Sequence, residues 1–215
     1  MISSSYKNKE LMLDDLLSKD DEVLDVGFWG QGVSISDENW PHRLLKKRID
    51  SVYGIDIVYD EAQLENKDHY FKQSAEDFSI DKKFDVIFGG DLIEHLSNPG
   101  LFLNCSAKHL KEGGRVILTT PNAFNLFNIA GKIMNKEPVV NRDHTCYFNN
   151  KTIKTLCEKN GFEVENSSYI YSLGVDYKES YKKKTLNVIY KFLSLFTDKY
   201  YETMVVVATT SNKAM

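Results

Sequence analysis

Apolar positions along this chain follow two rhythms that alternate. Short, nearly continuous apolar runs fall at residues 23–26, 51–56, 84–90, 115–120 and 204–208. Runs of that length bounded by turn residues read as strands buried on both faces of a sheet. Between them apolar residues recur at helical spacing. Residues 6–18 carry Leu13, Leu16 and Leu17 beside acids; residues 40–48 place Pro41 at a helix start and Lys46, Lys47 and Arg48 in its last turn; residues 150–161 carry Ile153, Leu156 and Cys157 on one side. Proline at the first position and cations at the last suit a helix. Asn98-Pro99 opens a further helix that Gly113-Gly114 is expected to stop, and Asn150 is expected to cap the helix ending at Gly161. Residues 162–171 complete the pattern as a strand. Strand–helix alternation implies right-handed crossovers and a largely parallel sheet covered on both faces.

In such a sheet ligands sit beyond the carboxyl ends of the strands, and the chemistry-bearing residues of this chain cluster there. The first strand, Val23-Leu24-Asp25-Val26, runs into Gly27-Phe28-Trp29-Gly30-Gln31-Gly32, three glycines within six positions. Glycines remove Cβ atoms where a ligand or another backbone comes close. Asp25 lies inside the strand, and a buried carboxylate needs a partner such as backbone N–H groups or a cation. Asp56 closes the second strand and Asp91 follows the third long apolar run.

The bulk numbers narrow the choices. A chain of 215 residues fits one domain with a full core. A net charge of −4 gives no basic footprint, so no nucleic-acid partner is expected. Cys105, Cys146 and Cys157 are too irregularly spaced for a disulfide framework or a zinc site. Residues 1–7 lack the apolar run of a signal peptide, and no stretch approaches the roughly 18 apolar residues of a spanning helix, so a cytoplasmic location is expected.

A glycine turn alone also occurs in nucleotide-binding oxidoreductases. The ordered set is more specific: Asp25 with Gly27, Gly30 and Gly32; Asp56; Ser74-Ala75-Glu76-Asp77; Asp91-Leu92-Ile93-Glu94-His95-Leu96; Leu110-Lys111-Glu112-Gly113-Gly114; and Thr119-Thr120-Pro121-Asn122. Over about residues 23–164 this resembles the class I S-adenosylmethionine-dependent methyltransferases, most closely small enzymes acting on sugars, glycans, quinones and similar metabolites. The resemblance implies an α/β three-layer Rossmann-like sandwich, with a mostly parallel seven-stranded sheet whose last strand is antiparallel. Residues 1–215 then form one methyltransferase domain with cap-like insertions at about 122–148 and 172–200.

The implied cofactor is S-adenosyl-L-methionine, leaving as S-adenosyl-L-homocysteine. Asp25 would balance its cationic end and Asp56 would take both ribose hydroxyls, as a two-oxygen acceptor can. Ile57 would pack on the adenine, Ala75 and Glu76 would lie along its edge, and Asp91 would face the methionine portion. Backbone N–H groups of Gly27, Gly30 and Gly32 would meet the methionine carboxylate. The turn departs from the family by one inserted residue at Phe28-Trp29, which puts both among the candidate cofactor contacts, Trp29 as a wall of the pocket with core packing as its competing role. The interval from Asp25 to Asp56 also exceeds the about 20 residues of a compact dinucleotide unit.

Methyl transfer is a displacement on an activated carbon, so the protein supplies alignment and, for a hydroxyl acceptor, a base. No metal is demanded. His144, or failing that His95, is the candidate base, since imidazole titrates near neutrality. His42, His69 and His109 read as surface or helix residues. The expected acceptor is a small molecule, first a sugar or glycan hydroxyl and otherwise an amine. Residues 182–196 put Leu186, Ile189, Leu193 and Phe196 on one face behind three lysines. That pattern fits a cap over the acceptor, a homodimer face, or contact with an anionic membrane surface. An NAD-dependent oxidoreductase and a non-catalytic adenosylmethionine-binding module are the competing classes.

Overall fold

The computed structural model describes residues 5–30, 37, 38, 40–137, 141–171 and 197–211. Their strands, in chain order, are β1 (Ser5–Tyr6), β2 (Glu22–Val26), β3 (Ser51–Asp56), β4 (Tyr70–Lys72), β5 (Phe84–Gly90), β6 (Leu110–Pro121), β7 (Phe162–Ile170) and β8 (Thr203–Thr210). They join one sheet in the order β1-β7-β8-β6-β5-β2-β3-β4. Every pairing is parallel except those of β8 with β6 and β7. The antiparallel last strand is therefore as expected, while the sheet has eight strands among the described residues rather than seven. The extra edge strand is β1: residues 5–6 pair with Tyr169 and Ile170 instead of starting the first helix.

Helices α1 (Lys9–Leu16), α2 (Pro41–Lys46), α3 (Pro99–His109), α4 (Leu126–Ile133) and α5 (Asn150–Lys159) complete the order. Asn8 caps α1, accepting from the Leu11 N–H. The cap of α5 is Asn149, one residue earlier than expected: its side chain accepts from the Thr152 N–H, and Thr152 Oγ1 accepts from the Asn149 N–H. That reciprocal pair satisfies two orphan donors at once. The glycines Gly113-Gly114 do not end α3, which stops at His109. They lie inside β6, where pairing with β5 jumps from Phe84–Leu110 to Val86–Arg115. Gly113 sits at φ +73°, so glycine here makes a bulge rather than a helix stop.

Side-chain alternation along the strands feeds two cores. On one face Val23, Val52, Val86, Phe88, Ile117, Val205 and Val207 pack under Met12, Leu13 and Leu16 of α1 and Leu44 and Leu45 of α2. On the other, Leu24, Ile55, Ile87, Val116, Leu118, Met204 and Val206 pack under Phe102 and Leu103 of α3 and Ile153 and Cys157 of α5. The result is a three-layer sandwich whose strand carboxyl ends meet at one rim. Residues 182–196 lie outside the described residues. No described helix is long and apolar enough to cross a membrane.

Candidate active site at the strand carboxyl ends

The turn after β2 is fastened to the end of β3. The Gly27 N–H donates to the Ile55 carbonyl (2.8 Å), the Phe28 N–H to the same oxygen (3.4 Å), and the Trp29 N–H to Asp56 Oδ2 (3.0 Å). Gly27 sits at φ +77°, a conformation that favours glycine, and a Cβ there would push on the end of the Leu92 side chain, 2.8 Å away. Gly30 also has positive φ, +65°, and Gly32 lies outside the described residues. The first three N–H groups of the turn are thus consumed by β3, which leaves fewer for an anion than the sequence implied.

Asp25 is 2% exposed, and its partner is His42, which lies on a helix (α2), one of the two places expected for it, but is fully buried there. His42 Nδ1 stands 2.9 Å from Asp25 Oδ2, and Nε2 stands 3.0 Å from the Tyr70 hydroxyl. Burial pushes the Asp25 carboxyl up, with the His42 contact opposing. Rings of Phe28, Trp40, His42, Tyr59 and Tyr70 close around this chain of contacts. The Trp40 indole N–H fixes the turn by donating to the Phe28 carbonyl at 2.7 Å.

The inserted residue now has a physical reason. Phe28 is 3% exposed and lies over Gly54, where a Cβ would come within 2.7 Å of its ring. Phe28 is core beneath the turn, not a wall; Trp29, only partly buried, is the member of the pair with surface to offer.

Asp56 accepts from Trp29 through one oxygen and from the Val58 N–H through the other (3.1 Å). A carboxylate has about four acceptor sites, so capacity for two hydroxyls remains. Beside it Ile57 and Val58 are each 64% exposed, an apolar surface of the kind a base would cover. Ala75 packs against the core. Glu76 is engaged elsewhere: its carboxylate accepts from the Asn98 N–H (2.9 Å) and side-chain amide (3.3 Å), anchoring the start of α3.

Asp91, at φ +49°, is held by the end of β6. Its N–H donates to the Thr119 carbonyl and side-chain oxygen, and Thr119 Oγ1 donates to Asp91 Oδ1 (3.0 Å). Lys9 Nζ of α1 reaches Asp91 Oδ2 at 2.5 Å. Burial would raise the carboxyl, but Lys9 and Thr119 outweigh it and hold Asp91 below the usual carboxylate range. Burial likewise pulls Lys9 down, and Asp91 more than reverses that.

The 3₁₀ turn Ile93–His95, just after β5, carries the other half of the site. Glu94 is 2% exposed; Thr120 Oγ1 donates to its Oε2 (2.9 Å), while Oε1 has no hydrogen-bond partner. Burial, then the charge on Asp91, push the Glu94 carboxyl up to about 7. His95 Nδ1 is also buried without a partner. The loop 141–148 folds back onto this turn: the Thr145 and Cys146 N–H groups donate to the Glu94 carbonyl (2.8 and 3.2 Å), and Thr145 Oγ1 donates to the Leu96 carbonyl (2.6 Å). That docking sets the ring of His144 perpendicular to that of His95, with centroids 4.5 Å apart. Burial, then His95, lower the His144 imidazole. The two candidate bases therefore meet, with Glu94 as a third member of the cluster.

A family model described as a methyltransferase domain matches residues 8–167, most of the chain. The chain belongs to this methyltransferase-domain family. Among curated proteins it is 27% identical over 139 residues to the mitochondrial ubiquinone biosynthesis O-methyltransferase of Homo sapiens, covering 62% of this chain and 35% of that one. To the ubiquinone biosynthesis O-methyltransferase of Rickettsia bellii it is 28% identical over 116 residues, 51% of this chain and 48% of that one. The chain thus spans less than half the length of these curated relatives.

Among solved structures, a Bacillus halodurans protein described as a candidate methyltransferase superposes with a TM-score of 0.59 at 20% identity, over 95% of this chain and 98% of that one. A Burkholderia thailandensis 1,6-didemethyltoxoflavin N1-methyltransferase with bound S-adenosylhomocysteine superposes with a TM-score of 0.57 at 14% identity, over 94% and 76%. At those identities the likeness speaks to the fold. The family membership sets the nicotinamide-oxidoreductase reading aside.

Proposed function

We propose that this methyltransferase-family chain moves the methyl group of S-adenosyl-L-methionine to an oxygen of a small molecule and releases S-adenosyl-L-homocysteine. The observation that carries the reading is the pairing of two features at one rim. Asp56 with the uncovered Ile57–Val58 surface forms a place for a nucleoside, and the Glu94–His95–His144 cluster lies beyond Asp91. Asp91, with Lys9 beside it, stands between them as a charged pair to meet the amino-acid end of the cofactor. In the transfer the acceptor oxygen forms a bond to the methyl carbon as the carbon–sulfur bond breaks, its electron pair remaining on sulfur. The protein's share is alignment and removal of the hydroxyl proton, for which His144 or His95 is the assigned base.

An oxygen acceptor is supported by the curated relatives, which are named as O-methyltransferases. Within that class we assign a sugar or glycan hydroxyl, on the sequence resemblance. Calorimetric titration with adenosylmethionine and with NAD tests the cofactor: binding of the first and not the second is expected. Release of adenosylhomocysteine in the presence of sugar, glycan and phenolic hydroxyls then tests the acceptor. Binding of adenosylmethionine with no turnover on any acceptor would favour the non-catalytic module.

A further inference from the structure

We propose that Glu94, His95 and His144 together hold a divalent transition-series cation, with coordination positions left open for the acceptor oxygen. One ligand atom from each of the three lies within 4.8 Å of the other two, so a single ion can reach all of them. Two of the three residues carry a buried polar atom with no partner, Glu94 Oε1 and His95 Nδ1. Leaving such atoms bare is costly, and a cation that they ligate would satisfy both.

The surroundings are built as a ligand shell is. Thr120 takes the second Glu94 oxygen and so orients the first, as supporting hydrogen bonds around metal ligands do. The loop bearing His144 is pinned to the Glu94 backbone through the Thr145 and Cys146 N–H groups, so the third ligand is positioned by main-chain contacts rather than by chance. Metal–ligand lengths of about 2.0–2.2 Å bring ligand atoms within roughly 3.5 Å of each other, so side-chain rotation of about 1 Å closes the site.

The donor set selects the ion. Two imidazoles and one carboxylate suit zinc, manganese, iron or cobalt better than magnesium or calcium, which prefer all-oxygen shells. Three protein ligands leave at least one position open, the pattern of a reactive rather than a structural site. This role rests on the methyl-transfer reading. A hydroxyl bound there would lose its proton to solvent at neutral pH, and the metal-bound oxygen would then attack the sulfonium methyl, giving ether, thioether and one released proton. With the ion bound, the two histidines serve as ligands and the ion takes over the deprotonation that they would otherwise perform as bases.

Cobalt(II) is the probe. Protein dialysed against a chelator is titrated with cobalt chloride and followed by visible absorption, then with zinc chloride by calorimetry. Uptake of one ion per chain, with zinc displacing cobalt, is expected. E94Q and H144A are expected to weaken uptake by tenfold or more, with unchanged adenosylmethionine binding as the check on folding. H144D, which offers a carboxylate in place of the imidazole, is expected to retain uptake with a shifted absorption band. Absence of stoichiometric uptake in the unmodified protein, or a spectrum unmoved by H144D, overturns the proposal. Full methyl transfer in the chelator with no bound ion overturns it while leaving the transferase reading intact. Metal uptake without adenosylmethionine binding would sink the transferase reading and keep the site.

Discussion

Asp25 and Glu94 are buried to the same degree, each 2% exposed, and both lie near strand carboxyl ends, yet they are treated differently. Asp25 faces His42, which is itself engaged by Tyr70 and packed against the rings of Phe28 and Trp40. Glu94 has one oxygen on Thr120 and one on nothing, beside a histidine with a bare ring nitrogen. Burial of a carboxylate is costly unless it is met, so a fold keeps an unmet one only where something else meets it. The Asp25 region is therefore architecture: it fixes the inserted turn and, through it, the position of Asp56. The Glu94 region, with its unmet oxygen, is the one we propose for chemistry.

If that contrast is right, the two acids respond oppositely to mutation. H42A removes the partner of a buried carboxyl and is expected to cost about 3–5 kcal/mol of stability, read as a fall in the urea midpoint. E94Q keeps the Thr120 contact and removes a group whose charge is disfavoured by burial. Its stability is expected to hold or rise slightly, while turnover falls by about 10²–10³. Equal losses of stability in both variants would erase the distinction. D56A tests what the closed region positions. It is expected to weaken adenosylmethionine binding by roughly 10–100-fold in calorimetry, about 1.4–2.7 kcal/mol, with little effect on acceptor-independent stability.

The same contrast explains what the sequence disclosed. The long strands and the face-to-face alternation were legible because Val86-Ile87-Phe88 and Met204-Val205-Val206-Val207 need burial on both sides. Strand β1, two residues long, and β4, three, are too short to carry a pattern, and they exist because neighbouring edges had groups to pair. Gly113-Gly114 was misread because a glycine pair after a helix and a glycine bulge within a strand look alike until the β5–β6 register is known. His42 was missed although a signal existed. Asp25 inside a strand demanded a buried donor, and the helix after the turn was the nearest source. His95 and His144 were each named, but their meeting with Glu94 depends on a loop folding back across some fifty residues, held by main-chain bonds that leave no mark in side-chain type.

The Lys9–Asp91 pair lies between the two regions and tests where one becomes the other. With 31% and 40% of the two side chains exposed, solvent screens the pair, and K9M is expected to cost about 1 kcal/mol or less. The pH dependence follows from the shifts. Asp91 is depressed, so its contribution is present above the ordinary carboxylate value near 4 and is lost as pH falls through the lower folded value. Lys9 is raised, so its contribution is full below about 10.4 and lost only in alkali beyond that. The stability difference between wild type and K9M should thus be flat from about pH 5 to 9 and shrink below about pH 4. A difference that persists undiminished at about pH 2 would mean that Lys9 acts through its packed aliphatic stem and belongs with the architectural half; one that vanishes there, together with weakened adenosylmethionine binding in K9M, places it with the ligand-facing half.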